Sequence, residues 1–186
     1  SFAGRCPSPD MCDLYYVNRD ALFSYHKASE SFLSRLISLF SASHYKNSPN
    51  DLQLLSDAPG HHLFVLLAPV SENSTTLPEI LCAIQVCLEG AISRESILES
   101  LSRGVRAGGD LIPWTVSEQF QDENFAFLSG ARIVRISTNP DFQKMGYGSK
   151  AIELLESFLS GNYSSSNTSN DERNESGERE PFAMTP

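Results

Sequence analysis

The sequence is short of cysteine, of basic residues and of long hydrophobic runs, and each shortage closes off a class of protein. Four cysteines occur in 186 residues: Cys6, Cys12, Cys82 and Cys87. They form no C-x-x-C pair, and His61 and His62 are adjacent rather than spaced as ligands, which argues against a zinc site. Cys82 and Cys87 lie inside the apolar stretch ILCAIQVCLEG, so they read as small buried hydrophobes of a reducing compartment. The longest apolar runs, residues 63–70 (broken by Pro69) and 80–83, fall far short of the ~20 residues a membrane helix requires. The opening SFAGRCPSPD lacks the apolar core of a signal peptide. The chain therefore reads as soluble and not membrane-bound, and its first residue, Ser1, suggests a processed chain or a piece of a longer one.

Basic residues are also scarce. Lys and Arg number 14 against 23 Asp and Glu, for a net charge of −9. Nucleic-acid affinity comes mainly from phosphate neutralisation by Lys and Arg, so this composition argues against a self-sufficient RNA or DNA binder. Four N-x-S/T sequons occur, at Asn73, Asn162, Asn167 and Asn174. Three of them fall in a Ser/Asn-rich stretch where chance alone supplies the pattern.

What is present is an ordinary globular composition. AVILMFWYC residues make up 40%, with 11 glycines besides. Residues 162–186 stand apart: they carry Asp171, Glu172, Glu175, Glu178 and Glu180 against two arginines, with almost nothing apolar. Such a segment cannot bury enough surface to offset its ordering entropy. The reading is an irregular leader over 1–11, a domain over 12–161 that is incomplete at its C-terminal side, and a disordered acidic tail over 162–186.

Along the domain, residues 20–43 predict one helix, with Phe23, Phe32, Leu33, Leu36, Ile37 and Phe40 on one face. Ser48, Pro49 and Asp51 form the start signal of a short helix ending near Leu55. Residues 62–68 (HLFVLLA) and 80–88 (ILCAIQVCL) predict a strand pair joined by a loose loop. Ser93 caps a helix over 94–102, with Ile97, Leu98 and Leu101 inward. Residues 110–120 and 122–130 resist assignment, and Trp114 reads as local packing. Residues 131–138 (ARIVRIST) form a strand, residues 139–141 break it, and 143–149 (QKMGYGS) make a glycine loop. A helix over 149–159 follows, with Ile152, Leu155, Phe158 and Leu159 on one side.

Strand, glycine loop and helix in direct succession is the arrangement that carries chemistry. Backbone N–H groups of the loop and first helical turn converge with the helix dipole on one point, a natural seat for a phosphate. The Walker A pattern fails, because Ser149 stands where Lys is required. The dinucleotide pattern G-x-G-x-x-G meets Ala151 at its third glycine, and its acidic residue about twenty positions on would fall in the tail. A third pattern, Q/R-x-x-G-x-G/A, is met by Gln143, Gly146 and Gly148, and it belongs to acetyl-CoA-binding N-acetyltransferases.

The flanks extend that match. HYKNSPNDLQLLSDAPGHHLF, IQVCLEGAISRESILESLSRG, GDLIPWTVSEQFQDENF and LSGARIVRISTNPDFQKMGYGSKAIELL closely resemble the RNA cytidine acetyltransferase family, the nucleolar enzymes that make N4-acetylcytidine. The resemblance implies a GCN5-related N-acetyltransferase (GNAT) fold, α/β, with a mixed and mostly antiparallel sheet flanked by helices. It implies acetyl-CoA held by Ile136, Ser137 and Thr138 of the strand and by Gln143, Lys144, Met145, Gly146, Tyr147, Gly148 and Ser149 of the loop. Lys144 stands where relatives often carry Gly, and Phe142 replaces a commoner Tyr.

The family likeness further implies a nuclear and nucleolar protein acting on 18S rRNA and tRNA. ATP and Mg would belong to a helicase-like module before this domain, and the RNA-gripping region would follow it. Guide or adaptor factors and a homodimer belong to the same picture. The acceptor amine is weakly nucleophilic and needs a base. His44 is the first candidate, ahead of Glu118, Asp122 and Glu123; Tyr147 is the candidate acid toward the leaving thiolate; His61 and His62 read as structural. Two alternatives stand beside this one: an acetyltransferase for protein or small-molecule amines, and an inert fragment that holds acetyl-CoA without turnover.

Overall fold

The computed structural model describes residues 6–43, 48–69, 77–103 and 108–161. Four strands, β1 (Asp13–Tyr16), β2 (His61–Leu67), β3 (Ile80–Gly90) and β4 (Ser129–Thr138), form one sheet in the order β1-β2-β3-β4. All three pairings are antiparallel. β2 reads as a continuous apolar run because both its faces are covered: Leu63, Phe64, Val65, Leu66 and Leu67 are all buried.

Helices α1 (Arg19–Leu22), α2 (Lys27–Ser43) and α3 (Pro49–Asp57) cover one face. Phe32, Leu36, Leu39 and Phe40 recur at helical spacing along α2 and meet Leu63, Val65, Leu67 and Ala83 of the sheet. Each such side chain, fully buried, contributes roughly 1.5–3 kcal/mol. The expected single helix over 20–43 is two, because Tyr25 takes a left-handed φ of 61° and breaks the ladder after α1. At α3 the expected start signal operates: the Ser48 N–H donates to the Asp51 carboxylate at 2.8 Å.

Helix α6 (Tyr147–Leu159) covers the other face. Tyr147, Ala151 and Leu155, each four residues on, pack against Leu14, Phe64, Leu66, Ile84 and Val86. The helix starts two residues earlier than expected and its buried stripe is centred on Tyr147. Ile152 and Leu159, expected inward, are 42% and 46% exposed for that reason.

Between β3 and β4 the chain makes an excursion through α4 (Arg94–Arg103), α5 (Leu111–Phe120) and a 3-10 turn, Glu123–Phe127. It has its own small core of Ile97, Trp114 and Ala126. Leu98, expected inward, is exposed. Glu89, buried at the end of β3, accepts from the Ile112 N–H (3.0 Å) and from Arg132 Nε (2.6 Å). It caps α5 from outside the helix, while Asp110, at the N-cap position, accepts from the Gly90 N–H instead.

The leader departs from expectation as well. Within residues 1–11, Pro9–Met11 form a 3-10 turn; Cys12, the first residue of the expected domain, is part of the core around Tyr147. The tail reading, over 162–186, lies outside the described residues, as do the four sequons. No described helix is long and apolar enough to cross a membrane.

Candidate functional site

The site is built on β4, which closes the described sheet at one end. The Asn139 N–H donates to the Leu81 carbonyl at 2.9 Å, and the register pairs Thr138 with Cys82, Ser137 with Ala83 and Ile136 with Ile84. Antiparallel ladders alternate, so the backbone polar groups of Ser137 turn toward β3 while those of Ile136 and Thr138 turn toward the outer edge. Two consecutive outward sets of N–H and C=O can pair with an extended ligand as an added strand would.

Side chains follow the same alternation. Ser137 is 1% exposed; its hydroxyl donates to the Leu39 carbonyl at 2.8 Å and meets Ser43 Oγ at 2.5 Å. It ties the last turn of α2 to the strand and is not offered to a ligand. Thr138 Oγ1 faces the Cys82 sulfur at 3.8 Å and lies beside Gly148, where an added Cβ would stand 3.1 Å from it.

Beyond the strand, Asn139 fixes the turn. Its Oδ1 accepts from the Asp141 N–H, and its Nδ2 donates to Glu79 and to the Ile80 carbonyl. Gln143, Lys144 and Met145 are exposed, and Lys144 holds a left-handed φ of 63°. Gly146, with φ 91°, is the N-cap of α6 and supplies no side-chain bond. The helical ladder begins with the Lys150 N–H donating to the Gly146 carbonyl at 3.0 Å. The N–H groups of Tyr147, Gly148 and Ser149 therefore precede the ladder at the positive end of the helix dipole. This first turn fits a phosphate: no side chain caps it, and Gly148 leaves open the space a Cβ would fill.

Tyr147 is buried, its ring edge-on to Phe142 with centroids 6.2 Å apart, and its hydroxyl donates to the Pro7 carbonyl at 2.6 Å. Burial raises its pKa. Lys150 lies between Glu153 (3.1 Å) and Asp10 (3.5 Å).

On the α2/α3 face, a pocket opens beside the cofactor-like strand, lined by Phe40, Ser41, Ser48, Asp51, Gln85 and Arg135 among others. Arg135 pairs with Asp51 at 2.6 Å. The Ser48 backbone N–H, and then Arg135, hold the Asp51 carboxyl below its usual range. Gln85 Nε2 is 3.0 Å from His61 Nδ1, and His62 Nδ1 is 3.3 Å from the Tyr16 hydroxyl. Burial lowers both histidines. The sequence offers Phe40, Ser48 and Asp51 only as helix residues, and the arginines inside the apolar strand ARIVRIST are the available signal for the pocket.

His44, the first candidate base, lies outside the described residues, directly after the end of α2. Glu118 is exposed on α5, and Asp122 accepts from the Asn124 N–H at 3.0 Å. Both belong to the excursion, not to the strand and loop. Glu123 is in the 3-10 turn beside them.

An antiparallel sheet between helices, an open end strand, and a glycine turn running into an uncapped helix define an N-acetyltransferase of the GNAT class. The chain belongs to the family described as GNAT acetyltransferase 2, whose profile matches residues 35–184. It is 69% identical over 157 residues to the RNA cytidine acetyltransferase of Dictyostelium discoideum and 67% over 158 residues to that of Homo sapiens. These alignments cover 84% and 85% of this chain but 15% of each relative, so the chain spans a small part of those proteins. An Achlya ambisexualis RNA cytidine acetyltransferase is 63% identical, over 87% of this chain and 44% of that protein. Among solved structures, an aminoglycoside acetyltransferase from an uncultured soil metagenomic sample is similar at TM-score 0.44 and 15% identity, over 82% of this chain and 72% of that one. The family match and the RNA cytidine acetyltransferase relatives support acetyl-CoA binding and acetyl-CoA-dependent acetyl transfer.

Proposed function

We propose that this chain is the acetyl-transferring domain of a longer enzyme that forms N4-acetylcytidine in rRNA and tRNA. The observation that carries the reading is the uncapped turn at Gly146–Ser149 next to the open edge of β4, within a chain so close to RNA cytidine acetyltransferases. Acetyl-CoA supplies an activated acetyl thioester. The N–H groups of Tyr147, Gly148 and Ser149, with the loop from Gln143 through Met145, hold its phosphates. The outward amides of Ile136 and Thr138 align the pantetheine chain and aim one N–H at the thioester carbonyl, where negative charge develops.

The acceptor enters from the α2/α3 side. Ser137 fixes the last turn of α2 against β4. His44 takes the proton from the exocyclic amine as the N–C bond forms and the C–S bond of the thioester breaks, coenzyme A leaving as its thiolate; Glu118, on the excursion, is the weaker candidate. In the parent protein, ATP and Mg act in a separate preceding module, the net −9 of this chain is offset by RNA-binding segments elsewhere, and the protein works in the nucleolus with adaptor factors, as a homodimer.

Incubation with acetyl-CoA and either cytidine-containing RNA or amine-bearing peptides tests the reading, with products followed by mass. Acetylated cytidine is expected from the parent-length protein, with donor binding by the 186-residue chain. Acetylated peptide beside untouched cytidine would overturn the choice of acceptor in favour of a protein-amine enzyme.

A further inference from the structure

We infer that residues 7–11 form a strap that positions the glycine loop, and that Tyr147 is the residue through which the strap acts. The inference rests on reading that loop as an acetyl-CoA site. Three contacts converge on it. The Tyr147 hydroxyl donates to the Pro7 carbonyl at 2.6 Å from a side chain that is 1% exposed. The Pro9 ring lies against Gly146, since a Cβ placed there would stand 3.5 Å from Pro9 Cγ. Asp10, itself exposed, faces the half-buried Lys150 in the first turn of α6 at 3.5 Å, a contact that adds little by itself.

The strap is also folded in its own right. The Met11 N–H donates to the Ser8 carbonyl and the Cys12 N–H to the Pro9 carbonyl. Its far end is anchored, because Cys12 shares a core with Tyr147 and leads straight into β1. The chain at Gly146 and just after it is thus gripped: Pro9 meets Gly146 itself and Pro7 holds the next residue. Lys144 and Gly146 both carry positive φ, so the loop between Phe142 and α6 holds two residues in the left-handed region. A phenol whose proton is held by a main-chain carbonyl is a positioning residue. It keeps the N–H groups of residues 147–149 aimed at one point.

Calorimetry with coenzyme A tests this on the 186-residue chain, its Tyr147→Phe variant, a chain lacking residues 1–7, and the two changes combined. Each single change is expected to weaken binding about three- to tenfold, the net worth of one buried neutral hydrogen bond. The combination is expected to be no weaker than either, because both remove the same link. Hydrogen exchange on the intact chain adds a readout that needs no variant. Coenzyme A should slow exchange at the Met11 and Cys12 amides, which belong to the strap rather than to the loop. Unchanged affinity in Tyr147→Phe, multiplying effects, or strap amides indifferent to coenzyme A would each overturn the strap. Intact affinity with reduced turnover in Tyr147→Phe would make that residue an acid instead. An unaltered chain that binds no coenzyme A would overturn the acetyl-CoA reading itself, which separates the two failures.

Discussion

Replacing Gly148 by Glu should leave the fold standing and remove donor binding, and the two effects have opposite physical signs. Gly148 is the second residue of α6 and its φ is not left-handed. A side chain there gains helix propensity of roughly 0.5–1 kcal/mol over glycine. A carboxylate in the first turn adds about 0.3–1 kcal/mol by facing the positive end of the dipole. Against this stands one tight contact, with Thr138 Oγ1 at 3.1 Å from the new Cβ, which a small shift of the threonine relieves. Stability should therefore change by less than about 1 kcal/mol, in either direction.

Binding responds differently. A carboxylate about 5 Å from a phosphate costs roughly 1–3 kcal/mol per unit charge at an effective dielectric constant between water and protein. With two phosphate charges and the Cβ filling the cradle, a loss of at least about a hundredfold in affinity follows. Thermal unfolding with and without coenzyme A reads both effects together. Ligand at 100 times its Kd stabilises the unaltered chain by about 2.7 kcal/mol, an upward shift in Tm of roughly 5–10 °C. The Glu variant should melt near the unaltered chain and show no shift; an Ala variant should keep a reduced one. A Glu variant that still shifts by the full amount would refute the placement of the phosphates. One that is unfolded would refute the view of residue 148 as an ordinary first-turn position.

Other consequences follow from the electrostatics and the backbone. Burial lowers His61 and His62, so the unfolded chain takes up protons first as pH falls below about 6.5, and stability should drop between pH 7 and pH 5. Replacing both by Gln should flatten that limb in urea unfolding; an unchanged limb would refute it. A second decline is expected below about pH 4.5, where Asp51 and Glu89, both lowered in the fold, must be protonated. For Glu89 burial opposes the shift, and the Ile112 N–H with Arg132 outweighs it. Arg132→Met should cost about 3 kcal/mol by leaving the Glu89 carboxylate short of a partner, measured by urea unfolding, and Glu89→Gln in that background should recover part of it. Lys144→Gly should stabilise by up to about 1 kcal/mol, since the position holds φ 63°; a lower Tm would refute that strain argument.

The central strands and the helices over α2, α3 and α6 were legible because their apolar residues repeat with the right period and carry start and stop residues. Ser48 with Asp51 is such a case, and so is the run that becomes β2. β1 was not legible, because DLYY is four residues long and gains its burial from pairing with β2. The left-handed turn at Tyr25 left no trace, since neither Gly nor Asn marks it. At the site, the glycine pattern announced the loop, but not which side chains serve the fold. Ser137, next to the last residue of the strand, points into α2, and Tyr147 reaches back 140 residues in sequence to Pro7. Such long-range partners carry no local signal. Arg135 and Asp51 belong to the same class: neither spacing nor composition joins residue 51 to residue 135.

The register of β4 slips where Gln85 pairs with Arg135 but Val86 pairs with Ile133, leaving Val134 as an extra residue. Arg132 and Arg135, an odd number apart, consequently face the same side, opposite Cys87 and Gln85. The extra residue resets the phase of the strand. Downstream, the alternation that turns Ile136 and Thr138 outward is counted from the Asn139–Leu81 bond; upstream, it is counted from Glu89 and Arg132. The two halves keep separate counts. A connection of 38 residues, 91–128, can therefore lengthen, shorten or shift against β3 without re-aiming the amides that would meet the donor.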